Sequence, residues 1–97
     1  MANTADKVSA RVFVYGRVQG VGFRDFAYRG AQKESLTGYV KNLSDGRTVE
    51  VYAEGTKTQL EKLISQLKTG PRMAVVEKLT TDYGDAAGSY TNFEIRY

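Results

Sequence analysis

The chain has 97 residues and a formal net charge of +3, and it contains neither cysteine nor histidine. That composition excludes disulfides, thiolate metal sites and a cysteine nucleophile, and it removes the commonest general base and metal ligand together. The charge mildly favours anionic ligands but is too small and too evenly spread to argue for nucleic acid.

The length fits a single domain over residues 1–97, with the small and polar residues 1–7 expected as a flexible tail. No apolar run approaches the roughly 20 residues that span a membrane. No signal-peptide pattern opens the chain, so a soluble cytoplasmic protein is expected.

Residues 8–18 alternate, with Ala10, Val12, Val14 and Gly16 on one face and Arg11, Phe13 and Tyr15 on the other, which is a strand pattern. Residues 16–24 then read G-R-V-Q-G-V-G-F-R. Gly16, Gly20 and Gly22 let the backbone fold tightly and turn its N–H groups inward. A helix is expected from Phe23 to about Glu34, with Phe23, Phe26, Ala27, Gly30 and Ala31 on one face. Its first N–H groups lack intrahelical acceptors and sit at the positive end of the helix dipole. Arg24 stands in that first turn, where a positive charge is unfavourable by about 0.3–1 kcal/mol. A local rule broken at such a place points to function. Gly30 costs about 1 kcal/mol against alanine, and close helix–sheet contact is the expected reason.

Residues 37–42 read as a second strand, Leu43-Ser44-Asp45-Gly46 as a hairpin turn, and residues 48–54 as a third strand. Thr56 and Gln59 form a T-x-x-Q capping box. Leu60, Leu63, Ile64 and Leu67 follow at helical spacing, and Gly70-Pro71 stops the helix. Residues 75–83 form a fourth strand, 84–89 a loop, and 92–97 a short fifth strand with Phe93 and Ile95 on one face. The tyrosines read as strand and core-rim residues.

The order β-α-β-β-α-β-β predicts an α+β, ferredoxin-like split β-α-β sandwich, with two helices on one face of a mainly antiparallel sheet. In that topology Arg24 and Asn42 share one sheet edge. One strand lies between, giving a gap on the order of 10 Å. Concave N–H groups beside a guanidinium suit a tetrahedral anion, above all phosphate. The loop is neither a P-loop, since no G-K-[ST] follows, nor a dinucleotide fingerprint. From the residues alone the glycines also read as a plain tight turn, Arg24 as a solvated surface residue, and Asn42 as a strand-end residue. Asp45 reads as a turn residue rather than a base. Arg17 and Lys41 lie near the same edge and either enlarge its positive field or are solvated strand ends, and Asp25 is placed to offset part of the Arg24 charge.

The stretch V-Y-G-R-V-Q-G-V-G-F-R, residues 14–24, closely resembles the first signature of the acylphosphatases. Gly38-Tyr39-Val40-Lys41-Asn42 looks like the start of their second signature, with Gly46 and Gly55 near the expected places. Gly70-Pro71 and the ending N-F-E-I-R-Y are similar as well, so the resemblance covers nearly the whole domain. Against the family pattern, the Gly46-to-Gly55 interval is one residue longer, Thr48 replaces valine, Ser35 replaces a glycine after the first helix, and Ala27 replaces threonine.

The resemblance implies hydrolysis of acyl phosphates to a carboxylate and inorganic phosphate without metal or cofactor; a monomer is expected, since no long apolar surface stripe remains unassigned. Arg24 and Asn42 would be catalytic, and Gln19, Gly20, Val21, Gly22, Phe23 and Arg24 would bind phosphate. Arg24 would grip two phosphoryl oxygens while Asn42 holds the attacking water. The substrate would be a small molecule, with inorganic phosphate as product and competitor and with neither nucleic acid nor membrane as partner. The missing chemistry suits this reaction, because a carboxylate whose acid has a pKa near about 4.3 departs without a proton donor. Two rival readings remain at this stage. An RNA-recognition module shares the strand order, but the third strand lacks the basic, glycine-aromatic pattern for stacking bases. A non-catalytic anion sensor would keep the cradle without turnover.

Overall fold

The computed structural model describes residues 6–97; of the tail expected at positions 1–7, the first five lie outside the described residues. The elements are β1 (Val8–Arg17), α1 (Phe23–Lys33), β2 (Thr37–Asn42), β3 (Thr48–Gly55), α2 (Lys57–Thr69), β4 (Val75–Asp85) and β5 (Phe93–Arg96). The strands run in the order β4-β1-β3-β2-β5. All neighbouring pairs are antiparallel except β2 with β5. This is the expected ferredoxin-like α+β arrangement, with β3 between β1 and β2.

Alternation along the strands sends one set of side chains under the helices. Ala10, Val12 and Val14 of β1 and Val49, Val51 and Ala53 of β3 are buried there, against Phe23, Ala27 and Ala31 of α1 and Leu60, Leu63, Ile64 and Leu67 of α2. Each such Val, Leu or Phe contributes roughly 1.5–3 kcal/mol by leaving water. The α2 start is held as its sequence dictates: the Gln59 N–H donates to Thr56 Oγ1 at 3.2 Å, and the Thr56 N–H donates to Gln59 Oε1 at 2.9 Å. Gly30 departs from expectation. A Cβ there would meet Gln66 Oε1 at 2.7 Å and Leu63 Cδ1 at 3.1 Å, both on α2. The contact that Gly30 permits is therefore helix on helix rather than helix on sheet.

The helix-free face carries a polar and aromatic layer. Arg11 donates to Tyr39 Oη at 3.1 Å and pairs with Glu50, and the Tyr39 hydroxyl donates to Glu50 at 2.9 Å. Tyr90 covers the stacked Tyr39 and Tyr52 rings, with centroids 6.0 and 5.5 Å away. The Glu54 carboxylate accepts the Tyr52 hydroxyl and the N–H groups of Ala87 and Gly88, tying the segment after β4 onto the sheet.

Candidate active site

The site is built where β1 hands the chain to α1. Gly16 sits at a register shift in the β1–β4 pairing, with φ 136°. A side chain there would strike the Val75 carbonyl oxygen at 2.3 Å, so only glycine admits the approach of β4. Gly20 and Gly22 hold left-handed φ values of 74° and 79°, and Gly22 caps α1 without a side-chain hydrogen bond. The first helical bond runs from the Phe26 N–H to the Gly22 carbonyl at 3.0 Å. Among the described residues, no backbone hydrogen bond is donated by Gln19, Gly20, Val21, Gly22, Phe23, Arg24 or Asp25. Unused donors at a helix N-terminus, beside the positive dipole end, form an anion-binding surface.

A cavity of about 220 Å³ opens over this turn. Gly20, Gly22, Arg24 and Asn42 contribute to its polar wall, and Val18, Phe23, Ile95 and Tyr97 to its apolar one. Arg24 enters none of the ion pairs among the described residues. Asp25, expected to offset its charge, instead pairs with Arg29 one turn along at 3.0 Å. Arg24 Nη1 donates to the Arg96 carbonyl at 3.4 Å, and the Tyr97 ring covers the guanidinium.

Asn42 is the last residue of β2 and pairs with Val49 of β3. Its Oδ1 is buried and, among the described residues, accepts no hydrogen bond. An amide oxygen left so costs about 1–3 kcal/mol, and this one belongs to a residue on the cavity wall.

Of the residues singled out in the sequence, Gly20, Gly22, Phe23, Arg24, Asp25 and Asn42 line one cavity, while Gln19 and Val21 stand in the same loop without lining it. Val21 packs on the core, and the Gln19 side chain turns toward the β2–β3 hairpin. Asp45 is a turn residue. Its carboxylate accepts the Thr48 hydroxyl and the N–H groups of Arg47 and Thr48, and these bonds, with the Thr48 hydroxyl foremost, hold its pKa below the ordinary value. Thr48 is thus used within the turn. Lys41 reaches Glu50 at 3.9 Å on the other face, and neither it nor Arg17 lines the cavity. The walls from Ile95 and Tyr97 were missed in the sequence because nothing local announces that β5 lies beside β2. Among the described residues no three His, Cys, Asp or Glu side chains converge for a metal ion, and no helix is long and apolar enough to cross a membrane.

The family model described as Acylphosphatase matches residues 10–95. An acylphosphatase from Salinibacter ruber is 47% identical over 93 residues, covering 96% of this chain and 95% of that protein. The crystal structure of acylphosphatase from Bacillus subtilis superposes with a TM-score of 0.88 at 38% identity, covering 93% of this chain and 99% of the other. The whole chain also matches 13% of full-length HypF, solved in a phosphate- and nucleotide-bound form, with a TM-score of 0.89 and 28% identity.

Proposed function

Because the chain belongs to the acylphosphatase family, we propose that its cavity hydrolyses acyl phosphates, with Arg24 and the loop N–H groups gripping the phosphoryl group and Asn42 orienting the attacking water. One observation carries this reading: among the described residues, unspent N–H donors and a guanidinium without an ion pair share a cavity wall with an amide oxygen that has no partner.

The steps follow from that wall. The phosphoryl oxygens accept from the N–H groups of the turn and, in bidentate fashion, from Arg24. Asn42 Oδ1 accepts one hydrogen of a water and so aims a lone pair of its oxygen at phosphorus. The new P–O bond forms in line with the bond that breaks, and the electron pair of the broken bond leaves on the carboxylate. Charge growing on the equatorial oxygens meets donors already in place, so little reorganisation is needed. The water proton passes to a phosphate oxygen or to solvent. The leaving carboxylate, with an acid pKa near about 4.3, needs no proton and no metal to depart at neutral pH. A phosphomonoester would need one of these, and this chain has no histidine to supply an acid near neutrality.

The reading takes residues 1–97 as one catalytic domain of the cytoplasm, acting as a monomer because every group in the mechanism comes from a single copy. The test is hydrolysis of benzoyl phosphate with a chelator present and inorganic phosphate as competitor. Rapid turnover, unchanged by chelator and inhibited by phosphate, supports the proposal; phosphate binding without turnover would instead make the chain an anion sensor.

A further inference from the structure

Gln19 has a side-chain role separate from its backbone. Its Nε2 donates to the Leu43 carbonyl at 2.8 Å and to the Thr48 carbonyl at 2.9 Å. These carbonyls sit at the turn end of the β2–β3 hairpin, where the Leu43 N–H also donates to the Thr48 carbonyl at 2.9 Å. Both hydrogens of one primary amide are therefore spent on the two sides of the hairpin neck.

β1 and β2 are not neighbours in the sheet, because β3 separates them. The position of the glycine turn relative to Asn42 is thus relayed through two strand pairings, or set directly by Gln19. The carbonyl that Gln19 holds belongs to the residue after Asn42. One further tie exists, from the Gly16 N–H to the Arg47 carbonyl at 3.0 Å, but it starts from β1 rather than from the turn itself. Ser44, Asp45, Gly46 and Arg47 are exposed, so little else packs the hairpin tip against the site.

We propose that Gln19 is a positioning residue: its carboxamide fixes the distance and angle between the phosphate-binding turn and Asn42, and so sets the line of water attack. This rests on the acyl phosphate hydrolysis proposed above. The side-chain chemistry is demanding. Methionine has nearly the same length and no donor. Glutamate presents carboxylate oxygens to two carbonyl oxygens, and only its protonated form restores a donor, to one of them. A misplacement on the order of 1 Å between reacting groups can cost about a hundredfold in rate.

The experiment compares the wild type, Gln19→Met and Gln19→Glu in benzoyl phosphate hydrolysis, with the inhibition constant of inorganic phosphate measured beside kcat and KM and folding followed by circular dichroism. Gln19→Met is expected to lose tenfold or more in kcat while the phosphate inhibition constant stays within threefold, since the turn and Arg24 are untouched. Gln19→Glu is expected to recover kcat relative to wild type as the pH falls from 7 to 5, because two facing carbonyls raise the glutamate pKa above about 4.3. Unchanged kcat in Gln19→Met, or a fall in kcat matched by the loss of phosphate affinity, overturns the assignment. If Gln19→Met does not fold, the glutamate variant decides: a rise toward low pH at constant phosphate inhibition supports the role, and no rise overturns it. Absence of turnover in the wild type would instead sink the hydrolase reading itself.

Discussion

The guanidinium carbon of Arg24 lies 4.5 Å from the centre of the Tyr97 ring. Arg96 at the end of β5 and Tyr97 just after it therefore brace the arginine together, by the Arg96 carbonyl at 3.4 Å and by this face contact. Arg24 and Tyr97 both line the cavity, where a phosphoryl group would bind. An exposed cation–π contact is worth about 0.5–1 kcal/mol, equivalent to about two- to fivefold in binding. Tyr97→Ala is expected to weaken inorganic phosphate inhibition by about that factor with the melting temperature little changed. Inhibition unaltered by the substitution would show that the ring does not brace Arg24.

Glu54 gives the fold an acid limit. Burial pushes its pKa up, but the hydrogen bonds from the Tyr52 hydroxyl and from the Ala87 and Gly88 N–H groups outweigh burial and leave it below the ordinary value. A carboxyl with a depressed folded pKa contributes stability above its unfolded pKa, near about 4.3, and loses it as the pH falls through the folded value. Glu54→Gln is expected to cost about 1–3 kcal/mol near neutral pH and to flatten the stability curve below about pH 4.3. Denaturant melts across pH check both. Glu54 lies at the opposite end of β3 from Thr48 and the hairpin, so kcat of the folded variant should match wild type.

Ser35 follows α1 with φ 58°, in the left-handed region. The Leu36 N–H donates to the Ala31 carbonyl at 2.9 Å across this turn, so the helix end depends on that strained conformation. A non-glycine residue there costs roughly 1–2 kcal/mol, partly returned by glycine's larger unfolded-state entropy. Ser35→Gly should stabilise by about 1 kcal/mol, which raises the melting temperature by about 4–8 °C in a domain of this size. Calorimetry decides, and a lower melting temperature would contradict the strain.

Legibility in the sequence followed the range of the interactions. The capping box at Thr56 and Gln59, the turn at Asp45 and the glycine loop before Arg24 are local, and short patterns encode them. The shared edge of Arg24 and Asn42 follows from element order, because a right-handed β-α-β crossover returns the chain to the same side. Features that depend on tertiary neighbours were hidden. Gly30 clears room for Gln66 and Leu63, 33 or more positions away, where sequence suggested only the sheet. Tyr97 meets Arg24 because β5 docks parallel to β2, and Gln19 finds its two carbonyls across the β2–β3 neck. None of these partners leaves a periodic or spaced signal. The orphaned oxygen of Asn42 is likewise a property of packing, since asparagine at a strand end is unremarkable in sequence.

The division of labour between holding phosphate and aiming water is tested most directly on Asn42→Ala, by measuring benzoyl phosphate turnover together with the rise in melting temperature on adding inorganic phosphate. Turnover should fall to background while phosphate still raises the melting temperature as in wild type, because ligand binding to the folded state stabilises it irrespective of chemistry. Arg24→Gln, run in parallel, should lose both. Wild-type turnover in Asn42→Ala would contradict the assignment of the water to its amide oxygen.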